Sequence, residues 1–150
     1  MTAEARLGHA ERLDRSRSRA WLLQIHYRWE SGGCEGTLLE ALEHTLDTRR
    51  VARRRLPYIR QVLTMMDEHR EDIDGALRRA LDNWRLDRLS SMDRAVLRIG
   101  AAEMLYVDEV PPKVAIQEAI HLAEAYGGAE SPAFVNGVLD ALYKRSAAGA

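Results

Sequence analysis

Apolar residues recur at three- and four-residue steps along most of the chain, and that spacing predicts helices. From Asp14 onward Trp21, Leu22, Ile25 and Trp29 mark one face of a first helix, which Ser31-Gly32-Gly33 ends. Residues 1–13 have no apolar period and read as a loose leader. A short second helix is expected from Thr37 to Leu46, with Leu38, Leu39, Leu42 and Leu46 on its buried face. After Leu56-Pro57 the spacing resumes with Ile59, Val62, Leu63 and Met66. A further segment places Ile73, Leu77, Leu81 and Trp84 on one stripe. One bent helix or two consecutive helices fit this region equally well.

The second half is punctuated more sharply. Ser90 stands three residues before Asp93 and an apolar run, which resembles a capping-box start. That helix buries Val96, Leu97, Ile99 and Met104. Pro111-Pro112 opens the next one, with Val114, Ile116, Ala119, Ile120 and Ala123 facing inward until Gly127-Gly128. Ser131-Pro132 starts the last, striped by Val135, Val138, Leu139 and Leu142. No alternating strand pattern and no internal repeat is present. The expected fold is all-α, a compact single-domain bundle of about six or seven helices over residues 14–145, followed by a flexible tail at 146–150.

Composition narrows the function more than the fold. The 150 residues carry a net charge of -1, so any contact with nucleic acid has to come from a local patch. Cys34 is the only cysteine, which excludes an internal disulfide and a cysteine-based zinc site, and its Gly-rich setting marks it as a silent loop thiol. The five histidines are scattered, with no pair at helical ligand spacing, and His26 reads as a core or surface residue. No phosphate loop, nucleophile elbow or His-Glu-x-x-His motif is present. The expectation is a protein with no catalytic residues, no metal and no cofactor. No run reaches the ~18 apolar residues of a membrane span, and the polar start is unlike a signal peptide, so the expected address is the cytoplasm.

Two stretches break the charge balance. Arg12, Arg15, Arg17 and Arg19 are opposed by Asp14 alone, and Arg12, Arg15 and Arg19 fall at i, i+3 and i+7, one ridge of a helix. Arg49, Arg50, Arg53, Arg54, Arg55 and Arg60 have no acid among them. The planar guanidinium fork suits phosphate oxygens. A solvated face accounts for arginines equally well. Tyr27 and Phe134 are candidate rings for stacking on unpaired bases, and either is compatible with a core position.

Motifs in the second half carry a resemblance. Asn83-Trp84-Arg85-Leu86-Asp87-Arg88-Leu89 is followed by Asp93-Arg94-Ala95-Val96-Leu97-Arg98-Ile99. Next comes Val110-Pro111-Pro112-Lys113-Val114-Ala115-Ile116-Gln117-Glu118-Ala119-Ile120, and then Phe134-Val135-Asn136-Gly137-Val138-Leu139-Asp140. With the first two stretches taken as one, three motifs in this order, over about 60 residues, resemble the NusB family. In the first half Arg17-Ser18-Arg19-Ala20 and Gln24-Ile25-His26-Tyr27 fit the family outline, with His26 in place of an apolar residue. Residues 31–56 show no similarity, and the arginines from 49 to 55 lie outside the family pattern.

The resemblance implies an all-helical transcription antitermination factor that binds the boxA element of ribosomal RNA transcripts. It also implies a heterodimer with NusE, a small-subunit ribosomal protein, within an antitermination complex on RNA polymerase. Carried over by position, Arg15, Arg17 and Arg19 are expected at phosphates, with Tyr27 and Phe134 at bases. Asp93, Arg98, Glu103 and Glu130 are expected at the protein partner, although Asp93 serves equally well as a helix cap. Ala102 replaces the Tyr that precedes the Glu103 position in many members. Free members are monomers or homodimers. Two other readings stay open: a helical protein-interaction module without RNA binding, and the RNA-recognition domain of an rRNA cytosine methyltransferase. These 150 residues contain no catalytic domain, which argues against the latter.

Overall fold

In the computed structural model, which describes residues 7–149 and side chains as far as residue 147, the chain folds around one helix that has almost no exposed face. That helix is Ser91–Tyr106, the fifth in chain order and hence α5. It buries Ala95, Val96, Leu97, Ile99, Gly100, Ala101, Ala102 and Glu103. Its Arg94, Arg98 and Glu103 side chains are ion-paired within the bundle, and α5 packs against five other helices. These are α1 (His9–Ser31), α3 (Leu56–Glu68), α4 (Arg70–Ala80), α6 (Pro112–Tyr126) and α7 (Ser131–Gly149). The remaining helix, α2 (Leu38–Thr48), lies on α1 and α3. Each Leu, Ile or Val side chain enclosed this way, such as Leu97, Ile99 and Leu139, stabilises the fold by roughly 1.5–3 kcal/mol. The result is an all-α bundle of seven α-helices, with no strand among the described residues.

Caps explain where the elements begin. The Thr37 hydroxyl accepts from the Glu40 N–H, and Asp67 on α3 accepts from the Leu38 and Leu39 N–H groups at 2.8 and 3.1 Å. One carboxylate thereby satisfies two open donors of α2 and pins that helix to α3. Ser90 caps α5 by accepting from the Asp93 N–H at 3.1 Å. The region after Leu56 forms two helices, α3 and α4, broken at His69.

Three boundaries differ from the expected ones. α1 opens at His9, not Asp14, because the Glu11 carboxylate accepts from the Gly8 N–H at 2.8 Å and closes the first turn. Those first turns are solvent-exposed, so they carry no apolar period. Residues 1–6 of the expected leader lie outside the described residues. α7 continues to Gly149 through the expected tail, and Ala150 lies outside the described residues. α4 stops at Ala80, so Trp84 does not continue its stripe. It stands 63% exposed in the link to a 3₁₀ turn at Leu86–Arg88.

Candidate functional site

The arginine ridge of α1 runs into the protein instead of along its surface. Arg12 is exposed. Arg15 is half-buried, with its guanidinium 4.0 Å from the centre of the Tyr58 ring and 3.7 Å from the Glu109 carboxylate. Arg19 is 1% exposed. Its Nε donates to both carboxylate oxygens of Glu103, at 3.0 and 2.8 Å, and Glu103 is also 1% exposed. The Tyr58 hydroxyl donates to the same carboxylate, and Glu118 lies 3.8 Å from Arg19 Nη1. Burial first, and then the Glu103 charge, push the Tyr58 phenol far above its ordinary pKa, so it remains a donor. Four helices are joined at this cluster.

Arg19 and Glu103 therefore do not stand where an RNA phosphate or a partner's surface would meet them. The reason is their pairing: a buried guanidinium needs a buried carboxylate, and α5 supplies one. Arg17, two residues earlier, lies on the opposite, solvent side of α1. Of the expected phosphate-binding arginines, it alone is exposed.

Arg98 is committed in a similar way. It makes two bonds to Asp74, at 2.9 and 3.1 Å, and reaches Glu30 and His26 Nε2 at 3.2 Å each. Arg94 binds Glu30 at 2.6 and 2.8 Å and also donates to the Leu86 and Leu89 carbonyls. These bonds tie α1, α4 and the 3₁₀ turn at Leu86–Arg88 to the start of α5. His26 is fully buried within this network. Burial, reinforced by the charge of Arg98, pushes its pKa down to about 4, so the ring is neutral near pH 7.

Asp93, Glu130 and Phe134 come together. With Trp84, Arg88 and Ser131 they line a groove of about 510 Å³ between the start of α5 and the α6–α7 turn. The Phe134 and Trp84 rings meet edge to face, with centroids 5.7 Å apart. Asp93 Oδ1 is buried and has no hydrogen-bond partner among the described residues. Tyr27 stands 53% exposed on α1. Trp84 was hidden from sequence reasoning because its spacing continued the α4 stripe, and Tyr58 because a lone tyrosine beside a proline gives no signal. Glu103, the one acid in the apolar second half of α5, was a readable sign of a buried ion pair.

Among the described residues, no group of three or more His, Cys, Asp or Glu side chains is placed to hold a metal ion. No helix among them is long and apolar enough to cross a membrane.

The NusB family model matches residues 16–144. The transcription antitermination protein NusB of Myxococcus xanthus is 40% identical over 122 residues, covering 79% of this chain and 86% of that protein. The corresponding protein of Clostridium perfringens is 35% identical over 134 residues, covering 88% and 98%. Among solved structures, T. maritima NusB superposes with a TM-score of 0.76 at 35% identity, over 87% of this chain and 90% of its own. A crystal structure of the antitermination factors NusB and NusE in complex with double-stranded RNA matches with a TM-score of 0.76 at 26% identity, over 88% and 97%. Motifs, fold and length agree, and the chain belongs to the NusB family.

Proposed function

We propose that this protein is a non-catalytic transcription antitermination factor that binds boxA RNA of ribosomal RNA transcripts together with NusE, in the antitermination complex on RNA polymerase. One observation carries this reading: the fold matches, almost end to end, the NusB of a complex that contains both NusE and RNA. Acting on nascent transcripts, the proposed factor works in the cytoplasm.

The surface divides the labour. Arg17 holds phosphates along α1, while Arg15, on the far side of the helix, stays against Tyr58 and Glu109. Tyr27 and Phe134 offer rings to unpaired bases. Asp93 and Glu130 face the protein partner across the groove. Arg19, Glu103 and Arg98 act from inside, keeping α1, α4 and α5 in register so that these surface groups stay in place.

The test is a boxA RNA titration with and without NusE, repeated over a range of salt. Binding that NusE strengthens, and that weakens steeply with salt, is the expected result. Arg17→Ala lowers the slope of log affinity against log salt by about 0.7, the share of one single-strand phosphate contact. RNA affinity that is unaffected by NusE overturns the partner assignment. Arg17→Ala binding with the wild-type slope overturns the assignment of α1.

A further inference from the structure

Between residues 49 and 60 the chain carries six arginines and no acid. Unpaired like charges in one short link repel each other, so this segment needs something to hold it. Asp14 on α1 does so. Arg54 Nε donates to one of its carboxylate oxygens at 2.8 Å and Arg55 Nε to the other at 3.0 Å. The two hydrogen bonds keep the Asp14 carboxyl below its ordinary pKa, against a smaller opposing effect of burial. At the other end, Arg28 on α1 reaches the Thr48 hydroxyl at 3.5 Å. The link and its 3₁₀ turn at Arg53–Arg55 are therefore laid along α1 from Arg28 to Asp14, a length of about 21 Å at 1.5 Å rise per residue.

This arrangement brings the two basic stretches of the sequence onto one face. Arg17 from α1 and Arg55 from the link line a hollow of about 170 Å³, with Trp21, Ala20 and Gln24 between them. Arg49 lies over the Trp21 ring at 5.3 Å. Arg49, Arg50 and Arg53 are exposed, and no carboxylate pairs with any of them among the described residues. Clamping Asp14 cancels the acid nearest to Arg17, so the local charge along this face is strongly positive on a protein whose net charge is -1.

We propose that this face is a second RNA-binding surface, which takes the phosphate backbone of transcript sequence flanking the boxA element, with the half-buried Trp21 ring supporting Arg49 from beneath. The proposal rests on the boxA reading above and extends it. Phosphates match the chemistry best, because Arg49, Arg50 and Arg53, exposed and without a carboxylate partner among the described residues, stand on the same link as Arg55, which lines the hollow with Arg17, and such an array suits a flexible polyanion. Arg54 and Arg55 position the link through Asp14, while Arg49, Arg50 and Arg53 meet the RNA.

The experiment compares two RNAs, boxA alone and boxA lengthened at each end by its natural flanks, on wild type and on the triple variant Arg49→Gln, Arg50→Gln, Arg53→Gln. These three side chains are solvent-exposed, and thermal unfolding of the variant checks that the fold is intact. Wild type binds the lengthened RNA more tightly and with a steeper salt slope. The variant binds boxA alone as wild type does, but on the lengthened RNA its slope falls by about 2 and its affinity by roughly ten- to hundredfold, the share of three single-strand phosphate contacts. Equal wild-type affinity for both RNAs overturns the proposal, and so does a variant that matches wild type on the lengthened one. A variant that keeps RNA affinity but loses strengthening by NusE assigns the face to protein and overturns it too. Failure of wild type to bind either RNA overturns the boxA reading itself, an outcome distinct from the others.

Discussion

Arg19 and Glu103 form an ion pair at 2.8 Å between α1 and α5, with each residue 1% exposed. Removing one partner strands a buried charge. Arg19→Ala and Glu103→Ala should each cost about 3–5 kcal/mol, measured by urea unfolding. The double variant Arg19→Met, Glu103→Leu should recover part of that loss. A residue of about 1–3 kcal/mol should remain, because the Tyr58 hydroxyl loses its acceptor. Single variants as stable as wild type would mean that the pair does not hold α1 in place.

His26 makes stability depend on pH in mildly acidic solution. Its folded pKa is about 4 and its ordinary value is 6.5, so the unfolded chain takes up a proton first. Its contribution is complete above pH 6.5 and is lost as pH falls from 6.5 towards 4, by about 3 kcal/mol in all. Glu30 behaves differently: burial raises its pKa, but Arg94 and the surrounding charges bring it below 4.5, so its contribution is lost only under more acidic conditions. Unfolding free energies measured at pH 7 and pH 5 test the assignment. His26→Leu should flatten the difference, and an unchanged pH dependence in that variant would assign the proton to another group.

Much of the fold was legible because it follows a single period. Leu22 and Ile25, Ile59 and Leu63, and Val135 and Leu139 all recur at helical spacing and all are buried. The same rule failed at Trp84, since three- and four-residue steps do not reveal that the hydrogen-bonded helix ends at Ala80. The arginine ridge misled for a related reason. Spacing places Arg12, Arg15 and Arg19 on one face of a helix, but the exposure of that face depends on Glu103, 84 residues away. The groove residues Asp93, Glu130 and Phe134 were found individually through family motifs. Their meeting depends on how the α6–α7 turn sits on the start of α5, which a linear pattern does not encode.

Gly100 is needed for the close approach of α5 to α6 and α7. A Cβ there would lie 2.7 Å from Leu139 Cδ1 and 3.3 Å from the Ala119 Cβ, and Leu139 is fully buried with little room to move. Overpacking of this kind costs about 1–3 kcal/mol. The better helix propensity of alanine offsets about 1 kcal/mol of it. Gly100→Ala should therefore lower the melting temperature modestly and Gly100→Val much more. A rise in melting temperature for the alanine variant would show that Leu139 can shift without cost.

Asp93 separates a structural role from a binding one. The cap of α5 is made by the Ser90 hydroxyl, which accepts from the Asp93 amide, so the Asp93 carboxylate is not the capping acceptor. Its Oδ1 has no hydrogen-bond partner among the described residues, and it lines the same groove as Glu130 and Phe134. Only its attraction to the helix N-terminus should be lost in Asp93→Ala, a change in stability below about 1 kcal/mol. Binding of NusE should weaken by about tenfold or more, because a desolvated charge at an interface costs more to truncate than an exposed one. Ser90→Ala should show the reverse, losing about 1 kcal/mol of stability with NusE affinity retained. Calorimetry of both variants, paired with NusE titration, separates the roles. If Asp93→Ala loses stability and keeps NusE affinity, the carboxylate serves the helix and the groove meets its partner through other residues.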